Sequence, residues 1–355
     1  MGSATLLLAL FLLSVLITAP RAQAATFKCS SGPTCNALID YVSPNTTTLS
    51  AIQTLFGVEN FLTLLGANSL PTSTLANQSV AANDKIVIPF GCRCSNGTGI
   101  SDHRPVYTVQ KGDGLDHIAV DVFSRLVTYQ EIQEVNNISD PSVIEVGQEL
   151  WIPLPCSCDK ENGSAVVHYG HVVESGSTVE EIAEEYGTTE ETLLELNGIT
   201  DPKTLQAGAV LDVPLKACTS VVRNTSLDYP LLLSNGTYAY TANNCVKCQC
   251  HSSNNWTLQC EQSGLQISNG TCPSMECGSS RLYIGNSTST TCNKTTCAYA
   301  GYTNQTIFTS LVTESTCSST GNAPSYASKI TLPSWRWNFV FIVSQLVMLY
   351  LHHSQ

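Results

Sequence analysis

The stretch NNISDPSVIEVGQELWIPLP, residues 136–155, is followed by a second version of itself, NGITDPKTLQAGAVLDVPLK, residues 197–216. The two versions differ in most side chains. They share an initial asparagine, an Asp-Pro pair, a glycine and a closing apolar-Pro pair at identical spacing. Residues that recur at fixed spacing while their neighbours change indicate a repeated folding unit.

Each version follows a related front half, YTVQKGDGLDHIA from Tyr107 and HVVESGSTVEEIA from His171. This front half predicts a short strand, a turn that contains glycine, and then a helix. The apolar face of that helix in the earlier version consists of Leu115, Ile118, Ala119 and Val122.

The middle of the repeat predicts a second helix. Thr128 is placed to cap it, and Glu131, three residues later, completes a capping box. The helix is expected to bury Ile132 and Val135, and Pro141 in the next loop prevents it from continuing. A strand follows and is closed by prolines, which cannot donate to a β-ladder. Each repeat is therefore strand, helix, helix, strand.

A third and more strongly altered copy occupies residues 41–90. Its helix face, helix end and closing strand are marked by Leu49 and Ile52, by Asn68, and by Ile86, Ile88 and Pro89. It lacks the Gly-Asp pair found in the first turn of the copy that begins at Tyr107. Three such repeats predict an α+β fold.

Both ends of the chain carry apolar segments that predict processing. Leu6–Ile17 is too short to span a bilayer and precedes a small-residue cleavage site, so residues 1–24 predict a secretory signal peptide. Trp337–Leu351 has no basic flank and follows a small, polar spacer, so residues 319–355 predict a GPI-attachment signal. A single membrane span is the alternative. The candidate attachment residues are Gly321, Asn322 and Ser325.

The composition is typical of an extracellular glycoprotein. Sixteen cysteines predict disulfides formed in an oxidising compartment. A net charge of −12 argues against a nucleic-acid partner, because binding phosphates needs basic patches. Glycosylation sequons begin at Asn45, Asn77, Asn96, Asn137, Asn162, Asn224, Asn235, Asn255, Asn269, Asn286, Asn293 and Asn304.

The cysteines fall into two groups. Six accompany the repeats, and the sequence alone does not choose among their possible pairings. The other ten run from Cys218 to Cys317. The run CVKCQC at Cys245 suggests zinc, but an oxidising compartment and the lack of matching histidines favour disulfides. Residues 217–318 predict a small β-rich domain and a glycosylated stalk. No metal or cofactor is expected.

Repeats that contain GDGLDHIA and NNISDPSVIEVGQELWIP resemble LysM domains. Three of them separated by Cys-x-Cys pairs, with a Cys-rich region and a GPI signal but no kinase, resemble plant GPI-anchored LysM proteins of the chitin elicitor-binding group. The resemblance implies three LysM domains at residues 25–91, 105–155 and 167–216. It also implies the disulfides Cys29–Cys94, Cys35–Cys158 and Cys92–Cys156.

The resemblance further implies where a ligand binds. The first turn and the loop after the second helix are expected to form a shallow groove whose free backbone groups suit uncharged N-acetylglucosamine chains. Ile144 and Val146 would line a recess for the acetamide methyl group, flanked by Leu115, although Ile144 also fits an ordinary core position. The groove residues of the second repeat are Asp113, Gly114, Leu115, Asp116, His117, Ile118, Ala119, Pro141, Ser142, Val143, Ile144, Glu145, Val146, Gly147 and Gln148.

The second repeat is the preferred site. Asn45 puts a sequon inside the first turn of the first repeat, and the third repeat has its second helix closer to its first turn. A sequon at Asn137 also borders the second groove, so any glycan there must be absent or point away. Trp151 lies on the closing strand, where it is predicted to pack between repeats rather than stack on a sugar.

An acidic groove favours chitin over peptidoglycan. Asp113, Asp116 and Glu145 would repel the carboxylates on peptidoglycan branches, whereas chitin is neutral. No enzyme is expected, because a glycosidase needs paired carboxylates in a cleft that desolvates one of them, and this groove is shallow. Peptidoglycan binding and a structural role in the cell wall remain as alternatives.

The predicted GPI anchor leaves no cytoplasmic domain, so a signal must pass through a partner. The resemblance implies a LysM receptor-like kinase and a role in innate immunity against fungi. Successive sugars of chitin face opposite sides, so a long oligomer is expected to join two grooves into a ligand-induced homodimer.

Overall fold

The computed structural model describes residues 27–30, 34–265 and 271–317. The chain divides into two compact units, Met1–Glu314 and Ser315–Gln355, and only residues 315–317 of the second are described. Several predicted features lie outside the described residues: the signal peptide (1–24), the GPI signal (319–355) with Gly321, Asn322 and Ser325, and the sequon at Asn269.

The first repeat packs two short helices against a long hairpin. Its elements and the two flanking strands are β1 (Lys28–Cys29), β2 (Thr34–Val42), β3 (Thr47–Thr48), α1 (Leu49–Phe56), α2 (Phe61–Ala67), β4 (Ser79–Val80), β5 (Lys85–Ser95) and β6 (Gly97–Ser101). Side chains of Thr48 and Asn60 accept hydrogen bonds from helix N–H groups and cap α1 and α2. Leu49 and Ile52 are buried and α2 ends at Asn68, as predicted.

The second repeat contains β7 (Val106–Thr108), α3 (Leu115–His117), a π-helical turn (Ile118–Val122), α4 (Tyr129–Val135) and β8 (Glu149–Trp151). The capping box of Thr128 and Glu131 is confirmed. The regular first helix predicted through Val122 is wrong: after one α-turn the Phe123 N–H donates to the Ile118 carbonyl, 3.0 Å away, in a π-type bond. The wide turn accommodates residues that the third repeat lacks.

The third repeat has a regular first helix. Its elements are β9 (Val166–Val172), α5 (Val179–Tyr186), α6 (Glu190–Leu196), a 3-10 turn (Pro202–Thr204) and β10 (Val210–Lys216). Thr178 and Glu181 form a capping box at the start of α5. Gly187, with a φ of 69°, ends α5 in the left-handed conformation that glycine adopts at low cost.

The second helix of every repeat ends in the same way. An asparagine closes it, the next residue is left-handed, and an apolar residue donates its N–H five positions back: Asn68-Ser69-Leu70, Asn136-Asn137-Ile138 and Asn197-Gly198-Ile199. This is a Schellman motif, in which two N–H groups after the helix pair with its last free carbonyls. It explains why the repeated phrase begins with asparagine.

The strands were predicted to close at prolines, which holds only in the second repeat. β5 continues through Pro89 and β10 through Pro214. β5 has only β2 beside it at Pro89, since β6 pairs further along, and β10 is an edge strand. A proline that faces an unpaired edge interrupts no ladder hydrogen bond.

Strands of the first and third repeats merge into one sheet of order β1-β6-β5-β2-β9-β10. β2 and β9 run parallel, with Leu38 opposite Tyr169 and Ile39 opposite Gly170. Gly170 is required here, because a Cβ atom at that position would lie 2.8 Å from the side chain of Ile39. The second repeat keeps its own two-stranded sheet of β7 and β8.

A buried carboxylate joins the first and third repeats. Asp40 of β2 is fully buried and accepts hydrogen bonds from the Tyr169 hydroxyl and, at 3.0 Å, from the Val172 N–H. Nδ1 of His171 lies 3.1 Å and Nζ of Lys85 lies 3.4 Å from the same carboxylate. Four partners on two repeats thus compensate for the loss of water around one charge.

Three disulfides link the repeats: Cys29–Cys94, Cys35–Cys158 and Cys92–Cys156. They confirm the pairing implied by the resemblance. Each joins positions distant in sequence, so each restricts the unfolded chain, an effect worth about 2–4 kcal/mol per bridge. They compensate for repeats too short to bury a large core individually.

The first two repeats share one hydrophobic core. Phe56 at the end of α1 and Phe123 after the π-helical turn meet edge to face, with ring centroids 5.6 Å apart. Two hydrogen bonds cross the same boundary, from the Tyr41 hydroxyl to the Val122 carbonyl (3.2 Å) and from the Ser124 hydroxyl to the Val42 carbonyl (2.6 Å). The additional residues of the second repeat therefore build its contact with the first.

The Cys-rich domain is β-rich, as predicted. It contains β11 (Tyr238–Thr241), β12 (Val246–Gln249), a 3-10 turn (Ser252–Asn254), β13 (Gln259–Gln262), β14 (Ser287–Ser289), β15 (Asn293–Tyr302) and β16 (Ile307–Ser315), arranged as two three-stranded sheets. Cys245, Cys248 and Cys250 are each disulfide-bonded, to Cys272, Cys260 and Cys218 respectively, so none is free to bind zinc.

The region expected to be a stalk is folded as far as Ser315. Cys277–Cys297 links it, and Ile284, Tyr299 and Ile307 bury their side chains in the same core as the CVKCQC hairpin. The sequence did not predict this fold because Ile284, Tyr299 and Ile307 are far apart in sequence and meet only when the segments that carry them pack together.

No single helix in the described part of the chain is long and apolar enough to cross a membrane. The neighbouring helices α1 and α2 pass such a test only as a pair, and they meet at a bend of 104°. Their apolar side chains, including Leu49 and Leu64, belong to the shared core.

Candidate ligand-binding groove

The two loops predicted to form the groove leave the same end of the β7–β8 pair. The strand register places Thr108 opposite Glu149. Just beyond, the Val109 N–H donates to the Gln148 carbonyl and the Gly147 N–H donates to the Val109 carbonyl, both at 2.9 Å. The first loop therefore begins where the second ends, so the two loops lie side by side, as the predicted groove requires.

The carboxylate of Asp113 in the first loop is hydrogen-bonded to other groups of the protein. Its side chain is only 7% exposed, and it accepts hydrogen bonds from the Tyr107 hydroxyl (2.8 Å) and the Gln110 N–H (2.7 Å). Burial and the adjacent carboxylate raise the pKa of Tyr107 to about 12, which keeps the phenol protonated as a donor. Asp113 thus holds the turn closed rather than offering a free charge.

The other polar residues of the first loop face solvent. His117 is half-exposed, with Nδ1 2.8 Å from the Asp121 carboxylate and Nε2 3.6 Å from that of Asp113. Asp116 is exposed. The imidazole thus lies between two carboxylates, whereas the Asp116 carboxylate is open to solvent.

The second loop begins with an Asp-Pro turn. The Asp140 carboxylate accepts from the Ser142 N–H (2.9 Å) and hydroxyl (2.6 Å), and these bonds lower the pKa of Asp140. In the third repeat Asp201 accepts from the Lys203 N–H at 3.0 Å in the same way. The repeated Asp-Pro therefore forms the turn that opens this loop.

The second loop ends at a position that requires positive φ. Gly147 has a φ of +88°, its counterpart Gly208 in the third repeat +81°, and Asn83 in the first repeat +69°. Glycine and asparagine adopt this conformation at least cost. The Glu145 N–H donates to the Gln148 side-chain oxygen at 3.1 Å. This hydrogen bond holds the loop backbone in one conformation.

An apolar patch lies on the second loop. Val143 and Val146 are 65% and 68% exposed, and Ile144 between them is half-buried and packs against the shared core. Two exposed valines within four residues of a charged loop are unusual for a solvated surface and are typical of a binding surface.

Comparison with known proteins reveals relatives along the entire chain. The LysM domain model matches residues 107–153 and 171–214, the second and third repeats. LysM domain-containing GPI-anchored protein 2 of Arabidopsis thaliana is 48% identical over 350 residues, 97% of both chains. The chain belongs to the family of LysM domain-containing GPI-anchored proteins. Chitin elicitor-binding protein of Oryza sativa subsp. japonica, 46% identical over 83% of both chains, is another relative.

Solved structures were compared as well. The ectodomain of a receptor-like kinase superposes with a TM-score of 0.44 at 22% identity, over 53% of this chain and 94% of that one. Two relatives are named as LysM domain-containing GPI-anchored proteins, in agreement with the predicted anchorage at the extracellular face of the plasma membrane. One relative is named as a binding protein.

The second LysM domain does not present all the side chains predicted for its groove. Leu115, Ile118 and Ala119 point into the core and are 2%, 0% and 1% exposed. The expectation that Leu115 flanks the methyl recess is therefore wrong. These residues face inward because their spacing puts them on the buried side of the helix, and only their backbone remains available to a ligand.

Trp151 packs between repeats, as predicted. His103 stacks on its indole with ring centroids 5.1 Å apart, the Arg93 guanidinium lies 5.8 Å from the ring, and the indole N–H donates to the Ser101 hydroxyl at 3.3 Å. With neighbours of the β5–β6 hairpin around it, the ring is not a platform for sugar stacking.

The other LysM domains offer less apolar surface at the same place. Position 144 is Leu205 in the third domain, half-buried, and the flanking valines are replaced by Thr204 and Ala207. In the first domain Asn45 is exposed in the first turn, where a glycan would lie. All described sequon asparagines are exposed, Asn137 among them.

Tyr107 and Val109 also support the two loops, although the sequence did not single them out. Tyr107 fixes Asp113, and Val109 joins the two loops. The repeat itself could have indicated Val109, because the corresponding residue of the third repeat, Val173, is also a valine. Val173 makes the same pair of backbone hydrogen bonds, with Gly208 and Ala209.

Proposed function

We propose that this protein is a cell-surface receptor that binds chitin oligomers through the groove of its second LysM domain. The observation that carries the proposal is the pair of exposed valines, Val143 and Val146, on a loop whose backbone is fixed by Val109. An acetamide methyl group suits the valines and the half-buried Ile144. The sugar amide suits backbone donors and acceptors of the loops, which need no reorganisation to meet it.

The charges of the groove favour a neutral ligand. Asp113 and Asp140 are engaged by hydrogen bonds within the protein, which leaves Asp116 and Glu145 exposed at the rim. An anionic peptidoglycan fragment would be repelled by those two carboxylates. A relative, chitin elicitor-binding protein, is named for a chitin-derived ligand and is 46% identical to this chain over 301 residues. Peptidoglycan is the second candidate ligand. If it is the ligand, neutralising the rim carboxylates Asp116 and Glu145 should tighten its binding.

The groove is tested by a pair of matched substitutions. Ile144→Lys places a charge in the apolar recess and is expected to weaken binding of a chitin octamer at least a hundredfold. Leu205→Lys makes the same change at the equivalent position of the third domain and should leave affinity unchanged. Titration calorimetry on both, with chitin and peptidoglycan fragments, distinguishes the candidates. Equal affinity for chitin in the Ile144→Lys protein would exclude the second domain.

Signalling is proposed to proceed through a LysM receptor-like kinase and a ligand-induced homodimer. The groove is shallow, so a bound chain keeps one face free, and a long chitin oligomer presents acetamides on that face to a second copy. A trimer fills one groove and cannot bridge. Multi-angle light scattering of the full-length protein in detergent is expected to show dimers with the octamer and monomers with the trimer. A monomer at saturating octamer contradicts the bridge.

We propose no catalytic activity for the protein. Asp113 and Glu145 are the carboxylates on opposite sides of the groove, but Asp113 is held by Tyr107 and Gln110. A general acid needs a raised pKa from desolvation in a closed cleft. Incubation with a chitin hexamer should therefore yield no shorter products by mass spectrometry.

A further inference from the structure

A second cleft lies between the first LysM domain and the Cys-rich domain. Its volume is about 680 Å³. One wall consists of the start of β2, the turn between α1 and α2, and residues 89–91 of β5. The other consists of residues 231–234 and the hairpin that starts with β11. Small-molecule sites commonly have volumes of about 300–1,000 Å³ and often lie at domain interfaces.

The walls of this cleft are held in place by direct contacts. The Asn60 amide donates to the Asn244 side-chain oxygen at 2.7 Å, at the turn between α1 and α2. The Tyr238 hydroxyl donates to the Leu70 carbonyl at 2.6 Å. At Gly66 of α2 the approach is so close that any Cβ would overlap the Tyr238 carbonyl. The cleft is therefore preformed, and a ligand would not need to order it.

Every charge on the cleft lining already has a partner. The Arg104 guanidinium is 3.2 Å from the Glu59 carboxylate. Asp228 accepts hydrogen bonds from the Thr241 hydroxyl (2.6 Å) and the Tyr299 hydroxyl (2.7 Å), and from Ser226 as well. The only cation on the described lining, Arg104, is already paired, so an anionic ligand would lose its hydration and find no free positive charge in return. The cleft therefore selects against anions.

Asp102, the remaining carboxylate of the lining, is also paired. Its oxygen lies 2.9 Å from Nδ1 of His103 and 4.0 Å from Nε of Arg93. It is half exposed, so its residual charge is screened by water.

The uncharged groups of the lining are both polar and apolar. Asn36 and Asn243 are exposed and Tyr302 is half-buried, and within the described part of the chain their amides and hydroxyl make no side-chain hydrogen bond, so they can bond a ligand. Leu38 and Phe90, both half-buried, lie on the same lining. Amides bond hydroxyl groups in either direction, and aromatic and aliphatic side chains pack on the C–H face of a pyranose ring.

We propose that this cleft binds an uncharged oligosaccharide, at a site separate from the groove of the second LysM domain. The preformed walls, the paired charges and the unengaged amides carry the proposal, and it does not depend on chitin being the ligand of the groove. A neutral peptide is the competing ligand. A peptide would need unpaired backbone N–H and C=O groups along one wall, whereas Asn36, Asn243 and Tyr302 on this lining offer side-chain groups without a protein partner.

The test uses full-length protein carrying Ile144→Lys, so that binding at the second-domain groove does not obscure the cleft. Chitin tetramer, cellulose tetramer and the anionic galacturonate tetramer are the probes, measured by calorimetry. At least one neutral tetramer is expected to bind, and galacturonate is not. Asn36→Trp fills the cleft and should weaken that binding at least tenfold. Thr34→Trp, on the same strand but outside the lining, should not.

Three outcomes would overturn the proposal: no neutral tetramer binds, galacturonate binds equally well, or Asn36→Trp has no effect while melting temperature and disulfides are intact. Binding of an uncharged tetrapeptide, lost in Asn36→Trp, with no sugar bound, would replace the ligand class. If the second LysM domain does not bind chitin, the result is different: Ile144→Lys would not reduce affinity for the chitin octamer. That outcome is independent of the effect of Asn36→Trp on tetramer binding.

Discussion

Asn136 and Trp151, 15 positions apart, are joined by two hydrogen bonds. The Asn136 amide donates to the Trp151 carbonyl at 2.8 Å, and its oxygen accepts from the Trp151 N–H at 2.9 Å. The same amide also donates to the Ile132 carbonyl at 2.8 Å. The Asn136 side chain thus makes the pair of hydrogen bonds that a neighbouring strand would make with Trp151, and it also caps the end of the helix. It ties the second helix to the closing strand.

This bridge recurs in the other LysM domains. Asn197 makes the same two bonds to Asp212, at 3.0 Å and 2.7 Å. In the first domain Asn68 bonds to Val87 at 2.8 Å in both directions. The first domain is the most altered in sequence, yet it keeps this residue, so the bridge is a requirement of the fold.

Asn136→Ala is therefore expected to destabilise the second domain by about 1–3 kcal/mol, because the Trp151 N–H and carbonyl lose their partner in a half-buried site. Asn136→Asp keeps the acceptor for the Trp151 N–H but places a carboxylate oxygen against the Ile132 and Trp151 carbonyls, so it should be at least as destabilising as alanine. Denaturant unfolding with disulfides intact measures both. An alanine variant as stable as wild type would mean that water replaces the amide fully.

Gly66→Val should detach the Cys-rich domain from the first LysM domain. A side chain at Gly66 would overlap the Tyr238 carbonyl, which is backbone and cannot move alone. Hydrogen exchange is expected to rise in residues 236–244 while the LysM repeats stay protected. Gly91→Ala is the control, since its nearest neighbour would be 3.7 Å away. Unchanged exchange in the valine variant would show that the domains are not docked through α2.

Asp40→Asn removes the charge that joins the first and third domains. Lys85 and His171 then lose their buried carboxylate, and the expected loss is on the order of 3 kcal/mol. Glu174→Gln is the control. Glu174 lies 3.0 Å from Lys85 but is 69% exposed, so its removal should cost less than about 1 kcal/mol. Similar melting temperatures for the two variants would contradict the central role of Asp40.

The buried pair of His168 and Asp212 predicts a pH dependence. Burial acts to lower the pKa of His168, but the Asp212 hydrogen bond at 2.8 Å and its charge prevail, so the pKa is raised above 6.5. A raised folded pKa means that the stabilisation is complete below pH 6.5 and is lost as pH rises through the folded value.

Melting temperature should consequently fall as pH increases above 6.5, and the fall should be smaller in His168→Gln. The Asp159 carbonyl, 2.9 Å from Nε2, also acts on the ring, whereas Asp212→Asn isolates the effect of the charge. If His168→Gln shows the same pH profile as wild type, the pair does not titrate in this range.

The repeat architecture was predictable from the sequence because its determinants are local. Thr128 and Glu131 are three residues apart, and the Asp140-Pro141 turn and the Gly147 conformation depend on neighbouring backbone alone. Helix caps and turns impose a pattern that survives when most side chains change. The groove position followed from the same local elements, since both loops belong to one hairpin-like pair of strands.

The choice of groove side chains was less predictable. Leu115 and Ile144 are both apolar residues beside a loop, and nothing in their identity distinguishes a buried residue from a half-exposed one. The structure buries Leu115 in the core shared by the first two repeats and leaves Ile144 at the edge of that core. The core includes a contact between Phe123 and Phe56 that follows a π-helical turn, in a segment whose apolar spacing also fits an ordinary helix.

By itself the sequence determined the three repeats, their caps and turns, the oxidised cysteines and the extracellular setting, because each follows from residues close together or from composition. The disulfide partners came from a family resemblance. Only the tertiary structure decided the parallel pairing of β2 with β9, the burial of Asp40 and the docking of Tyr238 on Gly66. These contacts join residues more than a hundred positions apart. They depend on the complementary shape and charge of two surfaces, and such complementarity produces no periodic pattern in the sequence.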